Sequence, residues 1–572
     1  MKITYRFRLV GIFNFKEITV MWKKHPKALP FLFLSEMWER FGYYLMIGIF
    51  TLYLKDVKAG FAMTEKEASD LYGTFIALVF LTPFIGGLIA DRYLGYKKSI
   101  VFGGILMGIG YFLMGVHDIT VLYIAMTFVI VGNGFFKPNI STLLGSFYNN
   151  EKYKDKKDEG YNIFYMGINV GGFICNFFGA ALQILLGWHW AFMAAGVGMF
   201  IGVIVFLLGT KHYVGHDQKK GVQEGDMPFY KIILFILLPS FIFGAIGWLV
   251  KGVASETNLN SSIFGSDSTD AFIFACIPIV FFYGTIYFKA KAEDKRSIGA
   301  LLAIFGVVIL FWGVFKLNGS ALTTWADRYT DREVTGTTGQ IVGKLKLAKE
   351  VEYKKESTEL YDAQFRLQKV NGVVQKEVNY PLYFRNVAPE KLPAEGGKVH
   401  LWATNLSQSI NPGWVIILTP LVVAFFSFLR IRKKEPSTPT KIAFGLLISA
   451  LSVLIMIAAV KIGNNGAEKV SAWWLVANYG IITIGELFLS PMGLSVVSKL
   501  SPVNITSLMM GGWFLSTSIG NKLSGVLASM WDTYDDKANF FWVNFALLMF
   551  ATVLMFGLVK QLNKVMKEKG IN

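Results

Sequence analysis

Charged residues are scarce in this chain. Asp, Glu, Lys and Arg make up 17% of its 572 residues, where soluble domains carry about 25%. Cysteine is nearly missing. Cys175 and Cys276 both sit inside apolar runs, with neither a metal-ligand spacing nor a disulfide framework, and read as small core residues. The six histidines, His117, His189 and His400 among them, are spread along the chain and show no zinc-site signature. With no catalytic set in sight, a membrane enzyme is set aside, and no metal or organic cofactor is expected. Residues 1–30 hold no apolar core ending at a small-residue cleavage site. No cleavable signal peptide is expected, and the first span should act as its own insertion signal.

Apolar mass is what the chain has instead. It is 53% hydrophobic, with 50 Phe and 14 Trp, and its mean hydropathy is +0.46. That is too much apolar surface for one water-soluble core; it suits a polytopic protein whose outside faces lipid. The net charge of +17 would suggest nucleic-acid binding in a soluble protein. Here the cations fall in short segments between apolar runs: Lys97-Lys98, Lys154 to Lys157, Lys289 to Arg296 and Arg430 to Lys434. That is the pattern of cytoplasmic loops, so a lipid bilayer is the expected partner and nucleic acid is not.

A helix needs about 20 mostly apolar residues to cross a bilayer. Fourteen candidate spans meet this, near 30–54, 68–91, 98–116, 119–146, 160–186, 189–210, 229–251, 269–290, 297–318, 409–430, 440–462, 470–498, 503–529 and 538–562. With the N-terminus inside, the Lys/Arg-rich loops around 92–98, 147–159, 211–228, 289–297 and 430–441 all fall on the cytoplasmic face. The loops near 117–118, 187–188, 251–268 and 463–469 then fall outside and carry few cations. Residues 319–408 interrupt the series and should also lie outside. Phe365 to Val370 and Val373 to Val378 alternate on either side of Asn371-Gly372, a strong hairpin signal. Gly343 to Ala348 reads as another strand, so a small β-rich extracytoplasmic insert is expected.

The first span carries Glu36-Met-Trp-Glu39-Arg40-Phe41-Gly-Tyr43-Tyr44. Spacings of three and four put positions 36, 39, 40, 43 and 44 on one helical face. Charge inside a span is costly and usually faces a wet interior. Two carboxylates beside a guanidinium can exchange a proton as the geometry changes; the alternative is a static ion pair that fixes packing.

This signature resembles the first helix of the proton-coupled oligopeptide transporter family, in the major facilitator superfamily. Gly86-Gly-Leu-Ile-Ala-Asp91-Arg92-Tyr-Leu-Gly95 resembles the superfamily's loop between its second and third helices. Gly132-Asn-Gly-Phe-Phe-Lys137-Pro138-Asn139 and Phe164-Tyr165-Met-Gly-Ile-Asn169-Val-Gly171 are similar to the fourth- and fifth-helix signatures. Gln408-Ser-Ile-Asn411-Pro412, Gly485-Glu486-Leu-Phe-Leu-Ser490-Pro491 and Met509-Met510-Gly-Gly-Trp513-Phe514-Leu515 match segments of the second half.

The resemblance implies an all-α membrane protein of the major facilitator fold. Twelve core helices would form two six-helix bundles, with two extra helices of bacterial type between them. The expected division is a cytoplasmic segment 1–29, a first bundle 30–210, a linker with the extra pair 211–296, the second bundle's first helix 297–318, the insert 319–408, and the rest of that bundle 409–572. It further implies proton-coupled symport of di- and tripeptides by alternating access, in a bacterial inner membrane, and a monomer is expected. Protons would be the coupling ion, through Glu36, Glu39, Arg40 and Lys137. The substrate would meet Arg40, Tyr43, Tyr44, Tyr72, Lys137, Tyr165, Asn169, Trp312, Asn411, Glu486 and Trp513. Lys137 would take its carboxylate and Glu486 its α-amino group. Asp91 and Arg92 would latch helices at the cytoplasmic rim.

Two positions depart from the family. An arginine common after the tyrosine pair is Ile47 here, and an acidic residue common four after a tryptophan is Lys316, in Trp312-Gly-Val-Phe-Lys316. A charge pair that could close the outer side is thus missing. Lys316 becomes a gating candidate, free to face Glu486, the insert or the substrate, and the insert that follows it could help close that side. Other readings remain: a symporter of the same fold for nitrate, a drug or an amino-acid derivative, or a non-transporting nutrient receptor.

Overall fold

The computed structural model describes residues 25–148, 150–153, 156–217, 228–249, 262–264, 266–502 and 505–568. Its first six long helices are α1 (Leu29–Lys55), α2 (Glu65–Ile89), α3 (Tyr96–Met114), α4 (Ile119–Phe147), α5 (Lys157–Leu186) and α6 (Trp188–Leu208). They share one hydrophobic core running from Ala28 to Tyr213. Within it α1 packs on α5 and α6, α3 on α4 and α6, and α2 on α4. The α2–α4 crossing is close because small residues meet there: a Cβ on Gly86 would lie 2.1 Å from the Gly134 carbonyl oxygen, a contact only glycine permits.

A peripheral pair follows, α7 (Tyr230–Leu249) and α8 (Asp267–Lys289). The two helices pack on each other, and α8 touches α2, α9 and α15. The second core is built from α9 (Ala292–Phe315) and, after the insert helices α10 (Ala321–Arg328) and α11 (Gly336–Lys344), from α12 (Ile410–Ile431), α13 (Thr438–Ile462), α14 (Trp473–Leu500), α15 (Thr506–Ser529) and α16 (Lys537–Glu568). Over their described residues all fourteen expected spans are therefore helical, with ends shifted by a few residues; 250–251 and 503–504 lie outside the described residues. Among the described residues, twelve helices are long and apolar enough to cross a membrane. The two long helices outside that set are α1, which buries Glu36, Glu39 and Arg40, and α15, which buries Ser516, Thr517, Ser518, Asn521 and Lys522.

The bundles meet at the end that carries the insert. There a Cβ on Gly73 of α2 would lie 2.6 Å from the Gly525 Cα of α15, so the two backbones touch. Ser518 Oγ donates to the Ala77 carbonyl at 2.6 Å, Thr51 Oγ1 to Gly319 O at 3.0 Å, and Asn405 Nδ2 to Asn176 O at 3.2 Å. Buried polar groups that pair across a helix interface, rather than within a helix, fix the relative placement of the two sides. The insert end is closed.

The insert is partly helical. α9 continues through a 3-10 turn, Lys316–Gly319, into α10. The expected strand at 343–348 is instead the end of α11 followed by a turn with Lys346 at φ 56, and the strand begins at Ala348. The Lys-Leu-Lys-Leu alternation is too short to outweigh the helix cap and the burial of Leu347 against Ala180 of α5. The Asn371-Gly372 turn forms, with φ of 51 and 79, but it joins only two-residue strands, Lys369–Val370 and Val373–Val374. Lys376–Asn379 leaves that hairpin to pair with Glu356–Glu359, and Ala348–Glu352 pairs antiparallel with Lys398–Trp402.

The insert holds both bundles. Leu347 and Ala403 pack on Ala180 of α5. On the other side, Thr330–Asp331 pairs in parallel with Val470–Ser471. Lys469 beside that pair donates from Nζ to Arg328 O at 2.9 Å and lies 4.4 Å from the centre of the Tyr383 ring. Burial first, then repulsion by Arg332, pushes the Lys469 ammonium down from 10.5 to about 7, against the pull of Asp327 and Asp331. Between about pH 7 and about pH 10.5 the unfolded chain thus binds the extra proton, so stability rises with pH through that window and is lowest below it. Lys469→Met should flatten this slope in thermal unfolding of detergent-solubilised protein from about pH 6 to about pH 9.5. Identical slopes in the two proteins would refute the burial argument.

Candidate functional site

The charged face of α1 folds onto itself. Arg40 Nε donates to Glu36 Oε1 at 2.9 Å and lies 2.7 Å from Glu39 Oε2, and all three side chains are buried. The one-turn spacing lets the helix neutralise its own guanidinium without help from a second element. Neutralisation is incomplete. Glu36 Oε2, both Glu39 oxygens and Arg40 Nη2 have no hydrogen-bond partner among the described residues. Buried atoms of this kind carry a free-energy cost that a proton or a ligand can relieve. The Tyr43 ring lies 5.3 Å from the guanidinium, and Tyr44 sits edge-on to Tyr43 at 5.5 Å, over Gly172 of α5.

Lys137 comes from α4, one residue before Pro138. It makes no ion pair with Glu36 or Glu39 among the described residues. Its ammonium lies 3.9 Å from the centre of the Phe80 ring. Lys316 arrives from the second bundle and stands 5.4 Å from the same ring. One aromatic ring on α2 thus lies within cation–π distance of a cation from each bundle. Phe80 was not legible as a site residue, because a lone phenylalanine in an apolar span carries no signal of its own.

The acidic group comes from α14 of the second bundle, within electrostatic reach of Lys316. Asn411 of α12 donates from Nδ2 to Thr483 Oγ1 at 2.8 Å and to Glu486 Oε2 at 3.2 Å, tying α12 to α14. Thr483 is the further residue here, one turn before Glu486 on α14. Tyr44 and Tyr165 of the first bundle lie within electrostatic reach of Glu486. Asn169 turns its amide back to the Tyr165 carbonyl at 2.9 Å. Lys316 lies within electrostatic reach of Glu486, and Lys137 of Glu36 and Glu39, so cations and carboxylates of both bundles converge here with tyrosines among them, and such a set of charges suits a small zwitterion.

The three remaining aromatic candidates reach the site unequally: Tyr72 lies within electrostatic reach of Tyr43 and Tyr44, and the Trp312 ring centre lies 5.4 Å from the Lys316 ammonium. Tyr72 is buried at the closed end, where a Cβ on Gly319 would meet its hydroxyl. Trp312 is buried between Phe311 and Phe315 with Gly520 beneath it. Trp513 packs over Gly493 and edge-on to Phe305 inside the second core. Asp91 and Arg92 fall in a π-helical turn, Ala90–Leu94, but their side chains lie outside the described residues. A buried cluster at the closed end had no sequence signal. Lys55 of α1 lies 3.0 Å from Glu65 of α2, and Thr324 of α10 donates to the same carboxylate at 2.9 Å. Its members are far apart in the chain, and only the fold brings them together.

Comparison with known proteins gives a consistent answer. The model of the POT family, PTR2, matches residues 97–341 and 398–543. Dipeptide and tripeptide permease A of Proteus mirabilis is 29% identical over 518 residues, 90% of this chain and 88% of the relative. An uncharacterized transporter, YclF of Bacillus subtilis, is 26% identical over 558 residues, 96% of each. Among solved structures, a peptide transporter POT in complex with alafosfalin superposes with a TM-score of 0.70 at 24% identity, covering 97% of this chain and 100% of that one.

Asn411→Ala removes the Nδ2 donor from the Glu486 carboxylate inside the membrane. It should destabilise the protein by about 1–3 kcal/mol, read as a lower Tm in detergent. An unchanged Tm would show that Glu486 does not depend on this hydrogen bond.

Proposed function

This chain belongs to the POT family, and from that premise we propose that it carries di- and tripeptides across a membrane by proton-coupled symport with alternating access. The observation that carries the reading is the pairing of an incompletely satisfied Glu36–Glu39–Arg40 cluster on one bundle with Glu486 on the other. Lys137 receives the peptide carboxylate and Glu486 its α-amino group, so the peptide is held by its two ends and its side chains are left unread. Its amides meet Tyr44, Tyr165, Asn169 and Asn411. Relatives named for di- and tripeptide transport over nine-tenths of this chain support that substrate class.

Protonation of Glu39 or Glu36 loosens their hold on Arg40. A carboxyl that binds a proton becomes a donor and frees the guanidinium for substrate. The bundles then rock about the central site. Lys316, Asp91 and Arg92 serve the gates on either side of it. The protein works as a monomer in the inner membrane, with its N-terminus and the Lys/Arg-rich loops in the cytoplasm. It performs no covalent chemistry and needs no cofactor beyond the proton.

Labelled dialanine should accumulate in proteoliposomes with an imposed pH gradient and fail to accumulate without one. Glu39→Gln should abolish that accumulation and retain substrate counterflow. Gradient-driven accumulation surviving in Glu39→Gln would remove Glu39 from the coupling step. No dialanine uptake by the wild type under either condition would overturn the peptide reading. The insert helps close the outer side. Deleting residues 336–398 should therefore raise the reactivity of cysteines placed in the closed end and alter uptake kinetics. Unchanged reactivity and kinetics would leave the insert without a gating role.

A further inference from the structure

The closed end contains an ion pair that crosses between the bundles. Lys522 of α15 donates from Nζ to Asp70 Oδ1 of α2 at 2.6 Å and to Thr74 Oγ1 at 2.6 Å. The same ammonium donates to Ser268 Oγ at 3.1 Å, at the first turn of α8. The start of α8 also holds Asp70. Ser266 Oγ donates to its Oδ1 at 2.9 Å, Thr269 Oγ1 to Oδ1 at 3.1 Å, and Ser268 Oγ to Oδ2. Behind this cap, Asp270 is buried and accepts from the Ile263 and Phe264 backbone amides at 2.7 Å each, which fixes the chain leading into α8.

We propose that Asp70 and Lys522, clamped by the Ser266–Thr269 cap of α8, form the latch that holds this end shut, and that the peripheral α7–α8 pair is thereby a working part of the gate. Three features carry this. The pair joins α2 and α15, whose backbones touch at Gly73 and Gly525. Lys522 is nearly sealed from solvent, with 3% of its side chain exposed. The clamp belongs to a third element, so it can hold the pair only while α2 and α15 are together. When the bundles part, Lys522 and Asp70 lose each other, and both gain water in exchange. A desolvated pair of this kind is bistable: strong when assembled and costly when half-made. Neither Ile47 nor Lys316 supplies a closing charge pair among the described residues; the latch shares this end with a second buried pair, Arg328 of α10 and Glu65 of α2, 3.9 Å apart.

The inference rests on the alternating-access reading but not on the substrate. Ala77 is fully buried at the α2–α15 contact, so a cysteine there is a reporter of opening. In full-length protein carrying Ala77→Cys, Cys175→Ala and Cys276→Ala, reconstituted in nanodiscs without peptide, maleimide labelling at position 77 should be slow. Asp70→Asn and Lys522→Met should each speed it about tenfold, the population change that about 1.4 kcal/mol gives. Ser268→Ala, a milder change on the peripheral pair, should speed it by a smaller factor. The exchanged pair Asp70→Lys with Lys522→Asp should label more slowly than either single reversal. Labelling that stays slow in Asp70→Asn and Lys522→Met overturns the latch, as does an exchanged pair no slower than the single reversals. An unmoved rate in Ser268→Ala overturns the role given to α7–α8. Normal gating in this assay with no peptide uptake would instead refute the substrate reading and leave the latch in place.

Discussion

A guanidinium inside a membrane-spanning helix must be neutralised, and in this protein that demand is met within one turn of α1. Arg40 takes Glu36 and Glu39 as partners from its own helix. Had the counter-charges come from the other bundle, the bundles could not separate without stranding a bare cation. Because they come from α1, the charge is carried as a unit. The neighbouring helices are left free to offer Lys137, Lys316 and Glu486 to whatever enters the gap. The satisfaction of the cluster is incomplete because both carboxylates approach the same Nε, which leaves Nη2 without a partner among the described residues.

The closed end obeys the opposite rule. There the polar groups pair between elements: Lys55 and Glu65 with Thr324, Asp70 with Lys522 and Ser268, Asn405 with Asn176. The centre is self-sufficient and the rim is mutual. A transporter that rocks needs that division, since a contact shared by both bundles reports their separation and one confined to a single helix does not.

Much of this was legible in the chain. Apolar runs and loop charge gave all fourteen spans. The spacing of Glu36, Glu39, Arg40 and Tyr43 gave their shared face, because a helix's period is local information. Glu486 and Asn411 were visible as polar residues in apolar runs, and the fold added their hydrogen bond. What stayed hidden is non-local. Nothing in the neighbourhood of Phe80 says that two lysines from different bundles stand over it, and nothing near Asp70 points to Lys522. Trp513, packed over Gly493 and Phe305, illustrates the converse: a motif marks a large aromatic, but only packing decides what its ring touches. In the insert, alternation over a few residues was too little to fix strand limits, and the helix cap before Leu347 prevailed.

The two least apolar long helices also differ in how they can enter a bilayer during synthesis. A lysine or arginine at the centre of an inserting helix costs about 2.5–3.5 kcal/mol. In α1 the compensating carboxylate is four residues from Arg40, so the helix reaches the membrane with its charge already answered. In α15 the carboxylate that answers Lys522 was made 452 residues earlier. It lies on a helix that must by then be seated, oriented and still unclaimed. The pairing of α15 with α2 therefore waits on the end of the chain, and the hydroxyls of Ser266, Ser268 and Thr269, synthesised in between, are donors that can hold Asp70 before Lys522 is made.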